Sequence, residues 1–333
     1  MVNSDADATP QMTPPRDSAF RAEAWINSVE LESKLDKCMT LIGNPNPHFE
    51  SSEVLSKLYW PEDTHQNESI ILDEVCKIAQ IDPDASRHAP ELLWYKSKGT
   101  SRYKIRNVPA LQDAKHVKPS SRVLTIIVFR NLSPITVLSG KEFLDAWWQI
   151  AIASLWNRGV RHRGVSLGNL TVYRTRGRFV GVLNDYDLSW RKKDSPSGVK
   201  RTGAVPFMAI DLLVPEDTMG KVKRAYAHDV ESFIWVLVWI CLRYEDGKPL
   251  SKNRPLEEWL KLDAIECKNK KTYFWLVGFI YSRPSGSHEA SWDLVKRCSA
   301  EAYSIYTPFG YRKLADHLAF NLLLEGPMQD GES

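Results

Sequence analysis

The sequence predicts a mixed α+β fold, and three observations carry that prediction. Runs of strand composition stand at Val54–Trp60 and Val123–Phe129, and two more, Thr171–Tyr173 and Phe179–Leu183, flank a turn at Gly177. β-Branched and aromatic residues in short runs bounded by turn formers read as strands. Longer stretches with apolar residues at helical spacing dominate the second half of the chain: Lys141–Asn157, the run Phe233–Leu242, and Ser291–Leu324, the last read as two helices. The third observation is bulk. The chain has 333 residues, 43% hydrophobic and 26% charged, enough for a sizeable core and for two lobes or domains.

Met1–Ser18 is rich in Pro, Asp, Ser and Thr and predicts a disordered tail. Phe20–Leu41 has helical spacing through Phe20, Trp25, Val29, Leu31, Leu35 and Met39, and the Gly43–Pro47 stretch breaks it. Val54–Trp60 is ended as a strand by Pro61. Glu68–Gln80 predicts an amphipathic helix with Ile70, Ile71, Val75 and Ile78 on one side. Asp82–Ser121 reads as irregular and basic. Val123–Phe129 is a near-continuous β-branched run and predicts a buried strand. In Lys141–Asn157 the apolar positions are Phe143, Leu144, Trp147, Trp148, Ile150, Ala151 and Leu155. Asp229 precedes the apolar run of the next helix, where N-cap chemistry accounts for it.

Several function classes are disfavoured. A net charge of +3 does not mark a nucleic-acid binder, and Arg191–Lys193 reads as solvated loop charge. The five cysteines are scattered and form no CxxC pair, so neither a disulfide framework nor a zinc site is expected, and a reducing compartment is. The N-terminus has no apolar h-region, and Phe233–Leu242 is too short to span a bilayer. The expectation is a soluble intracellular protein, cytoplasmic or nuclear, that binds neither nucleic acid nor membrane.

The chemistry concentrates between Arg161 and Trp190. Polar loops at the two ends of the predicted hairpin carry His162, Arg163 and Asn169 on one side and Asp185 and Asp187 on the other. An amide and a carboxylate at the flanks of one hairpin can bring both onto one divalent cation. Oxygen donors of this kind suit Mg²⁺, which takes one or two protein groups and leaves its other positions to water and phosphate. The first loop reads His162-Arg163-Gly164-Val165-Ser166-Leu167-Gly168-Asn169 and the second Asp185-Tyr186-Asp187. Further on come Thr202-Gly203-Ala204-Val205-Pro206-Phe207-Met208-Ala209 and His228-Asp229-Val230-Glu231-Ser232-Phe233. In these segments the chain resembles the fungal-type protein kinase family, with its HRDIS-like, DFD-like, GT-x-x-FMA-like and D-x-E-S-F motifs.

The resemblance implies a bilobal protein-kinase-like fold with a small β-rich N-lobe and a larger helical C-lobe. Residues 1–18 would be the tail, 19–131 an N-terminal helix plus a divergent N-lobe, and 132–333 the C-lobe. It implies ATP and Mg²⁺ as cofactors, with Asn169 and Asp185 as metal ligands. Lys57 would be the lysine that contacts the nucleotide's α- and β-phosphates, steadied by Glu68. Arg163 would pair with a phosphate or carboxylate on the activation segment, Leu188–Arg201, near which Ser195, Ser197 and Thr202 are candidate phosphosites. His162 would pack structurally, and Asp229 would hold the catalytic-loop backbone.

Two departures stand out. The family's catalytic aspartate is replaced by Gly164, and no glycine-rich phosphate loop precedes Lys57. A general base contributes roughly 10²–10⁴-fold to rate. The expectation is therefore a pseudokinase with absent or weak Ser/Thr kinase activity and a protein partner or substrate. Two alternatives stay open. One is an active Ser/Thr kinase with a non-standard base. The other is a small-molecule kinase of the aminoglycoside-phosphotransferase kind, which uses H-G-D-x-x-x-x-N.

Overall fold

Antiparallel pairing around one apolar strand organises the first part of the chain. In the computed structural model the described residues are 54–59, 68–81, 87–99, 123–152, 160–186, 190–191, 204–214 and 226–304. The predicted tail, the Phe20–Leu41 helix, the residues before Val54, Asp187, the three candidate phosphosites and the chain after Ser304 lie outside them. Strand β1, Val54–Tyr59, helix α1, Glu68–Ile81, strand β2, Leu92–Gly99, and strand β3, Val123–Arg130, form the first group. The sheet order is β1-β3-β2, with Lys57 opposite Ile127. β3 is central, so its Thr125, Ile127 and Val128 are buried, as its composition predicts.

Two expectations need correction here. The stretch read as irregular contains β2. Lys96, Ser97 and Lys98 give it polar edge-strand composition, and a register shift between Leu92 and Trp94 breaks the alternation that marks a strand. On α1 the inner face is Ile71, Leu72 and Val75, while Ile70 points to solvent. Adjacent isoleucines satisfy either of two helical faces, and contact with Ala89, Ile127 and Tyr186 decides between them.

The second group is built on helices. Strand β4, Ser133–Pro134, leads through a 3₁₀ turn into α2, Gly140–Ile152. Strands β5, Val160–Arg161, β6, Leu170–Thr175, β7, Arg178–Leu183, and β8, Trp190–Arg191, come next. β6 and β7 pair from Leu170↔Leu183 to Thr175↔Arg178 around the predicted turn at Gly177, whose φ of 77° favours glycine. β4 adds to β6, and β5 pairs with β8. Gly181 lets α2 lie directly on β7, because a Cβ there would sit 2.4 Å from the Ala146 carbonyl oxygen.

Helix α3, Tyr226–Arg243, is buried along its whole length, which explains its unbroken apolar run. Its start three residues before Asp229 corrects the N-cap expectation and places that carboxylate inside the first turn. The short β9, Tyr244–Glu245, and β10, Lys248–Pro249, come after it. Helix α4, Ala264–Tyr273, opens with a capping box between Asp263 and Glu266 and continues through a π turn, Phe274–Gly278, to Tyr281. Helix α5, Trp292–Ser304, closes the described chain. Trp235 of α3 anchors this end, stacked on Trp275 at 4.5 Å and edge-on to Trp259 at 5.4 Å. No described helix is long and apolar enough to cross a membrane.

Candidate functional site

The predicted hairpin and the first sheet meet through side chains. Lys57 leaves the middle of β1, and its Nζ donates to Glu68 Oε2 at 2.8 Å and to Asp185 Oδ1 at 2.5 Å. Glu68 opens α1 as a buried carboxylate, where a helix N-terminus favours negative charge. Its other oxygen, Oε1, accepts the Tyr186 backbone N–H at 3.1 Å. One glutamate therefore ties β1 to the loop after β7. Burial alone would push the Lys57 ammonium down, but the Glu68 and Asp185 carboxylates outweigh it and hold the group above its ordinary value.

The loop before β6 is set by its backbone. His162 is buried, with its ring edge-on to Tyr186 at 4.9 Å. Nδ1 accepts the Gly164 N–H at 3.3 Å, so the ring proton sits on Nε2, which donates to the Asn184 carbonyl at 2.7 Å. Burial, opposed by that bond to Asn184, lowers the imidazole to about 4, so it is neutral at physiological pH. The Arg163 N–H donates to Asp229 Oδ2 at 3.3 Å. Asn169 Nδ2 donates to the Gly164 carbonyl at 2.7 Å.

Asn169 and Asp185 are brought together by the strand ladder. One rung beyond Leu170↔Leu183, the Asn184 N–H donates to the Asn169 carbonyl at 2.8 Å, and Asp185 is the next residue. Asn184 also donates from Nδ2 to Thr171 Oγ1 at 2.8 Å, and that hydroxyl donates to the Val182 carbonyl at 3.1 Å. Two non-glycine residues at these loops lie in the left-handed region, Arg163 at φ 65° and Asp185 at φ 66°. Such strain is on the order of 1–2 kcal/mol per residue and persists only where surrounding bonds over-determine it. Bonds to Asp229, Asn169, His162 and Glu68 do so here.

The donor set fits a hard divalent cation. The Gly164 carbonyl can only accept, so Asn169 must face it with its amide nitrogen, which leaves Oδ1 without a donor among the described residues. Asp185 keeps Oδ2 likewise, on a side chain 42% exposed. No group of three or more His, Cys, Asp or Glu placed to hold a metal ion occurs among the described residues. Mg²⁺ bound through one or two protein groups would not need one. Of the residues singled out from the sequence, Lys57, Glu68, Arg163, Gly164, Asn169 and Asp185 all fall in this connected set. Sequence reasoning missed Asn184, which acts mainly through its backbone. Its only signal was its place between a strand and Asp185.

A lysine–glutamate–aspartate cluster joined to an H-R-x₅-N loop by a two-stranded hairpin is the arrangement of kinase-like proteins. Residues 84–241 match the family model for fungal protein kinases, and over that span the chain is similar to that family. The match contains Gly164, Asn169, Asp185 and Asp229, whereas Lys57 and Glu68 precede it. No curated protein matches the chain.

Proposed function

We propose that this chain is a kinase-fold scaffold that holds ATP with Mg²⁺ and transfers phosphate weakly or not at all. The observation that carries this reading is Gly164. It stands where an aspartate would orient and deprotonate the acceptor hydroxyl, inside a loop whose other contacts are made. Lys57, steadied by Glu68, holds the α- and β-phosphates, and Asn169 and Asp185 hold the cation. The cation supplies charge neutralisation on the phosphates. The core around α1 and β3 and the larger core around α3 are the two lobes between which the nucleotide sits.

Phosphoryl transfer depends mostly on positioning and electrostatics, so loss of the base leaves a rate roughly 10²–10⁴-fold lower and the binding site intact. The test measures thermal shift with Mg²⁺-ATP and γ-phosphate transfer to a generic protein substrate, in the wild type and in Gly164→Asp. Gly164 is not among the positive-φ residues, so its backbone admits an aspartate. The expected result is stabilisation by Mg²⁺-ATP in both, with turnover only in the variant and a stability change within about 1 kcal/mol. Robust turnover by the wild type, or no shift with Mg²⁺-ATP, overturns the proposal.

A further inference from the structure

Helix α4 and its extension change character along their outer face. The first turns expose Glu266, Asn269 and Lys270, with Ile265 beside them. The later turns expose Tyr273, Leu276, Val277, Ile280 and Tyr281, by 60, 49, 36, 65 and 79%. Their spacing is i, i+3, i+4, i+7 and i+8, the period of one helical face. The opposite face buries Phe274 and Trp275, and Trp275 stacks on Trp235 of α3. The stripe is therefore carried on a fixed element.

A π turn, Phe274–Gly278, lies in the middle of the stripe. Such turns distort a helix and are frequent at functional sites. Monomeric proteins seldom expose contiguous apolar patches of this kind without using them, and tyrosine-rich centres with arginine nearby are the composition of protein interfaces.

Charge selects the partner. From Cys267 to His288 the chain carries Lys268, Lys270, Lys271 and Arg283 and no carboxylate. Lys271 is buried, but Lys270 and Arg283 border the stripe in solvent. Lys270 reaches Glu258 at 2.9 Å, while among the described residues Arg283 donates to the neighbouring Ile280 and Ser282 carbonyls and to no carboxylate. A second copy of this chain is a poor occupant, because a two-fold pairing of like patches sets Arg283, which meets no carboxylate among the described residues, against its own kind.

We propose that this face docks a partner protein through an acidic amphipathic helix. Its apolar residues would lie along Tyr273–Tyr281 and its carboxylates would face Lys270 and Arg283. The surface does not involve Lys57, Asn169 or Asp185 and stands apart from the reading of that site. The test presents the full chain with a display library of helical peptides. Apolar residues are fixed at i, i+3, i+4 and i+7, and Asp, Glu, Lys and Arg are random elsewhere. Enriched peptides should carry an excess of Asp and Glu. Fluorescence anisotropy should show at least tenfold weaker binding to Ile280→Asp and to Tyr281→Asp, and several-fold weaker binding to Arg283→Glu, the last effect shrinking with salt. Circular dichroism should be unchanged, because these side chains are exposed. No enrichment, no acidic bias, or affinity indifferent to both apolar variants overturns the proposal. So does self-association that Ile280→Asp abolishes, which assigns the face to a second copy. Binding to anionic phosphatidylserine vesicles that Ile280→Asp abolishes also overturns it.

Discussion

Replacing Glu68 by glutamine keeps the size of a buried side chain and removes its charge. The carboxylate accepts Lys57 Nζ on one oxygen and the Tyr186 N–H on the other. A glutamine whose oxygen stays on Tyr186 turns its NH₂ toward an ammonium, donor against donor. Turned over, it leaves a buried N–H unpaired. Either way one charge-assisted bond is lost, worth roughly 1.5–3 kcal/mol. Breaking a wholly buried pair from one side costs about 3–5 kcal/mol. Lys57, however, is 28% exposed and keeps Asp185 at 2.5 Å, so the lower range applies. The expected loss is about 2 kcal/mol, read as a lower urea midpoint by tryptophan fluorescence. The same substitution in a Lys57→Met background should be neutral or stabilising, since the charge then has no ammonium to balance. A coupling of at least about 1 kcal/mol in that double-mutant cycle identifies the pair. An equal penalty in both backgrounds, or one below about 0.5 kcal/mol in the wild type, refutes the reasoning.

Other expectations rest on the same contacts. Gly181→Ala puts a Cβ 2.4 Å from the Ala146 carbonyl and 2.5 Å from Ile150 Cγ1, so it should destabilise by about 3 kcal/mol, measured by urea denaturation; an unchanged midpoint refutes the close approach. Asp229→Ala removes the acceptor for the Arg163 N–H and should lower stability by about 1–2 kcal/mol, while Asp229→Asn, which keeps an acceptor oxygen, loses less. Burial pushes His162 down to about 4 and lowers His288 as well, whose nearby carboxylates Glu245 and Asp246 oppose the shift. The folded state then binds fewer protons than the unfolded one, so stability is full above about pH 6.5 and falls as pH drops toward 4, on the order of 3 kcal/mol for His162 alone. A urea midpoint equal at pH 7.5 and pH 5 contradicts this.

The parts of the fold that were legible in the sequence are those with a periodic or compositional signature. β3 is central and buried, so its composition had to be apolar, and α3 lies inside the core on every side. The β6–β7 hairpin announced itself through strand runs on either side of Gly177. β2 was illegible because an edge strand needs no apolar alternation, and its bulge removed what alternation there was. The face of α1 was ambiguous by one residue. A step of one residue turns a helix by about 100°, and only the tertiary partners of Leu72 and Ile71 fix which side is inward. At the candidate site, the residues singled out from the sequence are mostly those whose side chains carry charge or a specific amide, and Asn184, which works chiefly through its N–H and C=O, is not among them.

That difference bears on how the loop keeps its shape with glycine at position 164. Three bonds that fix the turn at 163–164 use a backbone group of these two residues: the Arg163 N–H to Asp229, the Gly164 N–H to His162, and the Gly164 carbonyl to Asn169. Their partners come from α3, from the residue after β5, and from the turn before β6. None of these bonds calls for a side chain at 164. On the proposed reading, an aspartate there would serve chemistry without being needed for any of these three bonds. A scaffold of this construction can lose its acceptor-activating group while Lys57, Glu68, Asn169 and Asp185 keep their places, because those are held by contacts that do not pass through residue 164's side chain. The same separation makes Gly164→Asp informative: an effect on turnover without one on stability belongs to the carboxylate, not to a repaired fold.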